Sequence, residues 1–219
     1  MKIQWLGHAA FLITTQDETL ILMDPYEAGA YGGAVGYGRI ECSPHIVTIS
    51  HDQHEDHNYT GSLKGKPAIL KTPGKDTIKG IEVKRVRTFH DNSGGKERGE
   101  NLVTCILADG IRVAHLGDLG HMLTKAQLSE IGEVDVVLIP IGGTFTLDPK
   151  EAADVVGQLK PKIVIPMHYK TPKCGFPLVK VDEFLEGKQR VKRPSGSTLE
   201  VKATELPKET EIVVLQHAL

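Results

Sequence analysis

Cysteine is scarce and scattered in this chain. Cys42, Cys105 and Cys174 are its three thiols; they are odd in number, far apart and outside any Cys-x-x-Cys pair. No disulfide framework follows, and a reducing cytosol is the expected compartment. Long apolar runs are missing too. None approaches the roughly 18 residues that a membrane span needs, and the start Met1-Lys2-Ile3-Gln4 turns polar too soon for a signal peptide. Charge of one sign is also lacking: a formal net charge of -2 gives no electrostatic case for a nucleic acid or a membrane surface as partner. There is no Gly-x-Ser-x-Gly, and no cysteine has a histidine beside it in the sequence, so covalent catalysis is disfavoured.

What remains is the composition of an ordinary soluble globular protein, 40% hydrophobic and 25% charged over 219 residues, enough for one sizeable core. No linker or internal repeat interrupts the chain, and residues 1–219 read as one domain. The N-terminal third is expected to be β, with strands at Lys2–Leu6, Ala10–Thr15 and Thr19–Asp24, broken by Gly7-His8 and by Gln16-Asp17-Glu18. The glycine- and tyrosine-rich stretch Tyr26–Gly38 is either a long connection or a mobile flap over a site. Further strands are expected at His45–Ser50, Ala68–Thr72, Asp76–Lys79, Ile81–Phe89, Leu102–Ala108, Arg112–Leu116, Val134–Ile141, Lys162–Met167, Thr198–Ala203 and Glu211–Gln216. Thr124 and Asp148-Pro149 are helix starts, the first helix running to Ile131 before Gly132, the second to about Leu159. A short helix is expected at Val181–Glu186. Strands with interposed helices in this order argue for a layered α/β architecture, two sheets between helices, rather than a doubly wound parallel sheet.

The stretch with the most chemistry is Ser50-His51-Asp52-Gln53-His54-Glu55-Asp56-His57-Asn58, directly after the apolar run Ile46-Val47-Thr48-Ile49. Imidazole and carboxylate are the donors a borderline divalent metal such as Zn²⁺ takes, and a loop at a strand end can fold several of them around one centre. The alternative is a solvated polar loop that happens to hold histidines. Four further polar residues recur at the same structural address, the end of an apolar strand: Asp24 after Leu20–Met23, His90 after Val86–Phe89, Asp118 after Arg112–Leu116 across Gly117, and His168 after Ile163–Met167. Strand ends on one edge of a layered fold converge on one crevice.

Ser-His-x-x-His-x-Asp-His, His90, Gly117-Asp118 and Pro166-Met167-His168-Tyr169 resemble, in order, the motifs of the metallo-β-lactamase-fold hydrolases. Trp5-Leu6-Gly7-His8-Ala9-Ala10-Phe11 and Met23-Asp24-Pro25 are similar to the branch that includes L-ascorbate-6-phosphate lactonase and the N-acylphosphatidylethanolamine-hydrolysing phospholipase D. The resemblance implies a four-layer αββα sandwich and one or two metal ions, commonly zinc and sometimes manganese, iron or nickel. It implies His54 and His90 on a first metal, Asp56, His57 and His168 on a second, and Asp118 bridging them. Asp24 would orient the histidine loop, and His8, close to the site, would orient a group or transfer a proton. Asp56 would also steer the proton of a water shared between the metals. One departure is visible. The family's usual spacing is His-x-His-x-Asp-His, which puts Asp52 where the first histidine belongs and His51 one residue early. Either the loop bulges and His51 still reaches the first metal, or Asp52 ligates, or the first site is weakened.

Around this site, Lys96 and Arg98 in the run Asp91–Glu100 are candidates to cradle a phosphate or carboxylate together with its glycines, against the alternative of a solvated turn. Tyr169 and Lys170 are further substrate-contact candidates, and Gly142-Gly143-Thr144 could offer backbone N–H groups. His115 and His121 flank Asp118; His45 and His217 read as structural or exposed. The function expected is hydrolysis of an ester, lactone or phosphodiester bond in a small, anionic molecule by a metal-bound hydroxide. The competing expectation is a non-catalytic metal-binding or regulatory protein that keeps the fold. Oligomeric state is not legible.

Overall fold

The computed structural model describes residues 1–219. Its strands are β1 (Lys2–Gly7), β2 (Ala10–Thr14), β3 (Leu20–Met23), β4 (Ile46–Thr48), β5 (Ala68–Leu70), β6 (Gly74–Ile78), β7 (Ile81–Phe89), β8 (Glu100–Ala108), β9 (Ile111–His115), β10 (Val136–Pro140), β11 (Ile163–Met167), β12 (Val191–Lys192), β13 (Thr198–Glu200) and β14 (Glu211–Val213). They form two sheets, a six-stranded one in the order β13-β1-β2-β3-β4-β5 and an eight-stranded one in the order β12-β14-β11-β10-β9-β8-β7-β6. Helices are few: α1 (Ala30–Gly33), α2 (Lys125–Ile131), α3 (Pro149–Leu159) and α4 (Val181–Leu185). The mixed α/β class with two sheets agrees with the sequence reading. None of the helices is long and apolar enough to cross a membrane.

The sheets face each other because alternate residues of a strand point to opposite faces. Ile3, Trp5, Phe11, Ile13, Ile21, Met23 and Ile46 project from the six-stranded sheet into the main core, where they meet Val83, Val103, Ile111 and Val113. Their neighbours Leu6, Ala10, Leu22 and Val47 point outward into a second, smaller cluster. β10 and β11 are buried along their whole length, which explains their unbroken apolar sequence: α3 packs on β10 from outside and on α4. Reciprocal capping boxes, Thr124 with Gln127 and Asp148 with Glu151, start α2 and α3 where the sequence places them.

The outer cover of the six-stranded sheet is mostly not helical. Tyr26, Val35 and Tyr37 from the glycine-rich stretch bury their side chains there with Cys174 and Leu178, and the Tyr26 hydroxyl donates to the carbonyls of Leu6 and Gly38. Tyr26, Ala30, Val35 and Tyr37 thus pin the stretch to the sheet, while Ala28, Gly29 and Tyr31–Gly33 stand exposed between them. Its tip, α1, is a distorted single turn with Tyr31 and Gly32 in the left-handed region, and Tyr31 reaches the crevice described below. Two other differences lie near the C-terminus. The expected strand Thr198–Ala203 stops at Glu200 and gives way to a 3-10 turn at Ala203–Glu205, and the short edge strand β12 has no counterpart in the sequence reading.

Each sheet contains an antiparallel meander followed by parallel strands: β1-β2-β3 then β4 and β5 in one, β7-β8-β9 then β10 and β11 in the other. This arrangement sends the C-terminal ends of β1, β3, β4, β7, β9, β10 and β11 to one edge of the sandwich. The polar residues that follow those strands meet there.

Candidate metal centre

The histidine loop leaves β4 through Ser50, which is clamped from behind. The Asp24 carboxylate accepts from the Ser50 backbone N–H at 2.7 Å and from its hydroxyl at 2.5 Å. Leu102 donates its N–H to the Ser50 carbonyl at 2.8 Å. Asp24 is buried in the left-handed region, φ 46. His8 and His168 share that conformation, with φ of 50 and 52, so three residues at this edge hold backbone geometry that non-glycine residues adopt only at a cost. The Trp5 indole N–H and the His168 backbone N–H both donate to the His8 carbonyl, at 3.0 and 3.1 Å, which fixes the two strained histidines against each other.

Six of the ten histidines converge, in two groups of three. His51, His54 and His90 place one nitrogen each within 4.8 Å of one another, and so do His8, His57 and His168. In the first group the His51 Nδ1–H donates to the Glu100 carbonyl at 3.2 Å, which leaves the Nε2 lone pair directed at His54 Nδ1, 2.7 Å away. A backbone carbonyl on the far nitrogen is the usual support of a metal-binding imidazole. Asp118 lies between the groups. Its Oδ1 faces His57 Nε2 at 2.9 Å and His168 Nε2 at 3.5 Å, while its Oδ2 faces His90 Nε2 at 3.2 Å. Asp56 sits against the second group, Oδ2 at 3.2 Å from His8 Nε2 and Oδ1 at 3.2 Å from His57 Nδ1.

Proximity here does not mean pairing. Both ring nitrogens of buried His57 and Oδ1 of Asp118 lack a properly directed hydrogen bond despite their close approach. Orphaned buried polar atoms are costly, and the unpartnered nitrogens of His57 and oxygen of Asp118 fit a cation among them. The electrostatics agree. Burial would raise the Asp118 carboxyl, but His57, His168 and His90 outweigh it and hold it well below the ordinary range. Burial would strip the proton from His57, yet the flanking Asp118 and Asp56 carboxylates raise its pKa well above the usual value. Burial pushes His51 down to about 4 and His168 to about 3, so both present free lone pairs at neutral pH. The carboxylates thus demand positive charge in their midst, and the donor set of imidazole and carboxylate suits zinc or a similar ion.

The spacing irregularity is absorbed locally. Asp52 is exposed and pairs with Lys71 at 2.8 Å on the surface, while His51 is 1% exposed and turned inward. The turn at Asp52-Gln53 takes up the extra residue, held by Asn58 Nδ2 donating to the Asp52 carbonyl at 3.0 Å.

Other sequence candidates separate. Arg98 lines the crevice above the histidines, with Tyr31, Gln53, Phe145 and Phe176. Lys96 is exposed and stands outside that lining. Tyr169 and Lys170 are also outside it: Tyr169 is buried against Trp5, ring centroids 5.2 Å apart, and Lys170 Nζ donates to the Phe176 carbonyl at 2.9 Å. The anion cradle expected of Asp91–Glu100 is already filled. The Asp91 carboxylate accepts from the N–H groups of Ser93, Gly95, Glu97 and Arg98 at 2.7–3.0 Å, so the loop is folded around its own anion. Gly142 packs under His168, where a Cβ would lie 2.1 Å from the His168 carbonyl oxygen; its role is close approach. His115 donates from Nε2 to the Ala9 carbonyl and accepts from Gly117 N–H at Nδ1, supporting the turn before Asp118. His121 accepts from Phe89 N–H, and His45 from Leu20 N–H, both structural contacts.

One residue outside the sequence candidates holds the centre together. Asn101, fully buried at the start of β8, donates from Nδ2 to Thr88 Oγ1 at 2.7 Å and to the Leu116 carbonyl at 2.9 Å, and its Oδ1 accepts from Asp118 N–H at 2.9 Å. Gly117 lies against it at φ +58, where a Cβ would come within 2.4 Å of Asn101 Oδ1. An asparagine opening an apolar strand, against the usual preferences for strands, was the available signal. Asn101→Ala leaves the buried Asp118 N–H unpaired and the Leu116 carbonyl with only the Leu119 N–H at 3.3 Å. It should destabilise the protein by about 3 kcal/mol and weaken metal retention through Asp118; a wild-type urea midpoint would contradict this.

A family model described as a beta-lactamase superfamily domain matches residues 2–168. A UPF0173 metal-dependent hydrolase of Thermococcus kodakarensis is 33% identical over 193 residues, 78% of this chain and 85% of the relative. A UPF0173 metal-dependent hydrolase of Thermus thermophilus is 28% identical and covers 91% of this chain and 96% of its own length. Among solved structures, a candidate Zn-dependent hydrolase of the metallo-β-lactamase superfamily from Thermotoga maritima superposes with a TM-score of 0.81 at 40% identity, covering 98% of this chain and 97% of the other. On the family model and on relatives that span most of it, the chain belongs to the metallo-β-lactamase superfamily, among its UPF0173 metal-dependent hydrolases.

Proposed function

We propose that the protein is a dinuclear metal hydrolase of an ester, lactone or phosphodiester bond in a small anionic molecule, with zinc the best-fitting ion. His51, His54 and His90 would hold a first ion, Asp56, His57 and His168 a second, and Asp118 would serve both. The observation that carries this reading is the Asp118 carboxylate, whose two oxygens face different imidazole clusters. Ions held there supply Lewis acidity and water acidified towards neutral pH. The chain's own groups do the rest. Arg98 orients the anionic end of the substrate. His8 Nε2 and Asp56 Oδ2, 3.2 Å apart, hold a proton inside the crevice and pass it to the leaving side. No serine, threonine or cysteine lines the crevice, so no Ser-, Thr- or Cys-type nucleophile is placed there. A lactonase or phosphodiesterase assignment rests on the resemblance of the Gly7-His8 and Asp24-Pro25 segments; the relatives found by comparison carry only the wider name. The alternative of a non-catalytic protein that keeps the fold is not favoured, since those relatives are named hydrolases and both clusters are intact.

Elemental analysis of the purified protein should find about two equivalents of a divalent transition metal. Chelation should abolish, and zinc restore, hydrolysis of generic phosphodiesters or lactones. Failure to retain any metal would sink the reading. Acidity supplies a second check. In the metal-free protein the raised His57 contributes stability that is complete below about 6.5 and is lost as pH climbs through its folded value. Asp118, held low, contributes above about 3.8 and is lost only in acid. A bound metal would take the place of the His57 proton and so remove the alkaline loss. The gap in melting temperature between loaded and metal-free protein should therefore widen from about pH 6 to about pH 8, with proton release on zinc addition; a constant gap would contradict it.

A further inference from the structure

Aromatic residues make up 5% of the chain, yet three rings meet at the mouth of the metal centre. Tyr31 and Phe176 lie 5.5 Å apart between ring centroids, Phe145 and Phe176 6.0 Å apart. They come from three loops, after β3, β10 and β11. Phe176 also lies 5.6 Å from the His8 ring, so this wall reaches down to the second imidazole cluster. None of the three belongs to the fully buried core: Phe145 and Phe176 are half-buried and Tyr31 is 46% exposed. The wall is nevertheless prebuilt. Thr144 Oγ1 donates to the Pro177 carbonyl at 2.8 Å, tying two of its loops together, and Lys170 Nζ anchors the Phe176 carbonyl. Apolar rings left partly in water at a preformed crevice mark where apolar ligand surface sits.

The cation beside the wall is Arg98, the only lysine or arginine lining the crevice. Its guanidinium carbon stands 6.0 Å from the Phe145 ring centroid. It is tethered but not neutralised: Nη2 reaches the Thr144 carbonyl only at 3.4 Å, and Glu97, largely in water, is 3.9 Å away. Its remaining donors are free to fork onto an oxyanion. The cavity volume, about 290 Å³, lies at the low end for small-molecule sites. Metal ligands form the floor, three rings one wall, and a single guanidinium the rim.

We propose that the crevice selects small oxyanions that carry a flat apolar substituent, the substituent seated on Tyr31, Phe145 and Phe176 and the anionic group held between the metal centre and Arg98. This rests on the metal-centre reading above and adds the class of substrate to it. The flat group stacks with the rings and sheds water, while Arg98 fixes which end of the molecule faces the ions.

The test is binding, so it does not depend on knowing the reaction. Zinc-loaded protein of measured metal content is titrated calorimetrically with phenylphosphonate and with methylphosphonate, which share the oxyanion and differ in the flat group. Phenylphosphonate should bind at least about tenfold more tightly, equivalent to about 1.4 kcal/mol. Phe145→Ala and Phe176→Ala should each cut that ratio to about threefold or less, with Phe176→Leu intermediate. Arg98→Gln should weaken both ligands by about tenfold and leave the ratio unchanged. Because each ratio is taken within one variant, a general loss of folded protein cancels. Equal binding of the two ligands to fully loaded protein, no binding of either, or a ratio indifferent to both phenylalanine variants would overturn the proposal and leave the metal centre standing. Protein that holds no zinc would overturn the metal centre, and this inference with it.

Discussion

Asp118→Ala should empty both metal sites at once. The carboxylate is 2% exposed and faces His57 and His168 through one oxygen and His90 through the other, so it serves both clusters. Without it, the first cluster keeps three imidazoles and no charge, and the second keeps only Asp56. The affinity of such a centre rests on charge as well as on nitrogen donors. Metal content should fall from about two equivalents to near zero after dialysis, and hydrolysis by about a thousandfold or more, roughly 4 kcal/mol of transition-state stabilisation. Asp118→Asn should do nearly the same, since it keeps the shape and removes the charge. A comparison with metal-stripped wild-type protein separates loss of metal from loss of fold. Full metal occupancy in Asp118→Asn would rule out the bridging role.

The second large effect is a contrast between neighbours. His51→Ala should weaken the first site by at least about a hundredfold and reduce turnover with it, whereas Asp52→Ala should change neither by more than about twofold. His51 is buried, with Nε2 facing His54 and Nδ1–H held by the Glu100 carbonyl. Asp52 is about half exposed in its ion pair with Lys71, and exposed pairs contribute about 0–1 kcal/mol. Competition with a chromogenic chelator reads the two sites separately. The reverse pattern would assign the ligand to Asp52 and require the loop to refold on metal binding. Indifference to both substitutions would argue for a single-metal protein.

Local chemistry was legible in the chain because it repeats at short range. Unbroken apolar runs announced β10 and β11, which are buried on both faces. Thr124 and Asp148-Pro149 announced the starts of α2 and α3. The candidate ligands were legible as strand-end punctuation, since a polar residue directly after an apolar strand must lie at a sheet edge. The glycine-rich stretch Tyr26–Gly38 was harder: its apolar residues have no period, so burial on the six-stranded sheet could not be told from mobility.

What the sequence by itself determined, then, is the set of strands, the main helices and the inventory of imidazoles and carboxylates that the edge would carry. The three-dimensional fold alone decided which of them face the same point. His168 turns into the crevice through a left-handed backbone, and its neighbour Tyr169 is directed onto Trp5, so adjacency in sequence does not put Tyr169 and Lys170 in the crevice lining. Asp91 consumed the N–H groups that its loop offered to an anion. Asn101 joined the ends of β7 and β9 by hydrogen bonds to residues 13 and 17 positions away. The aromatic wall drew its rings from loops separated by more than a hundred residues. Secondary structure follows from neighbours within a few residues, whereas convergence depends on how two sheets pack, and packing is set by long-range contacts that leave no periodic trace in the chain.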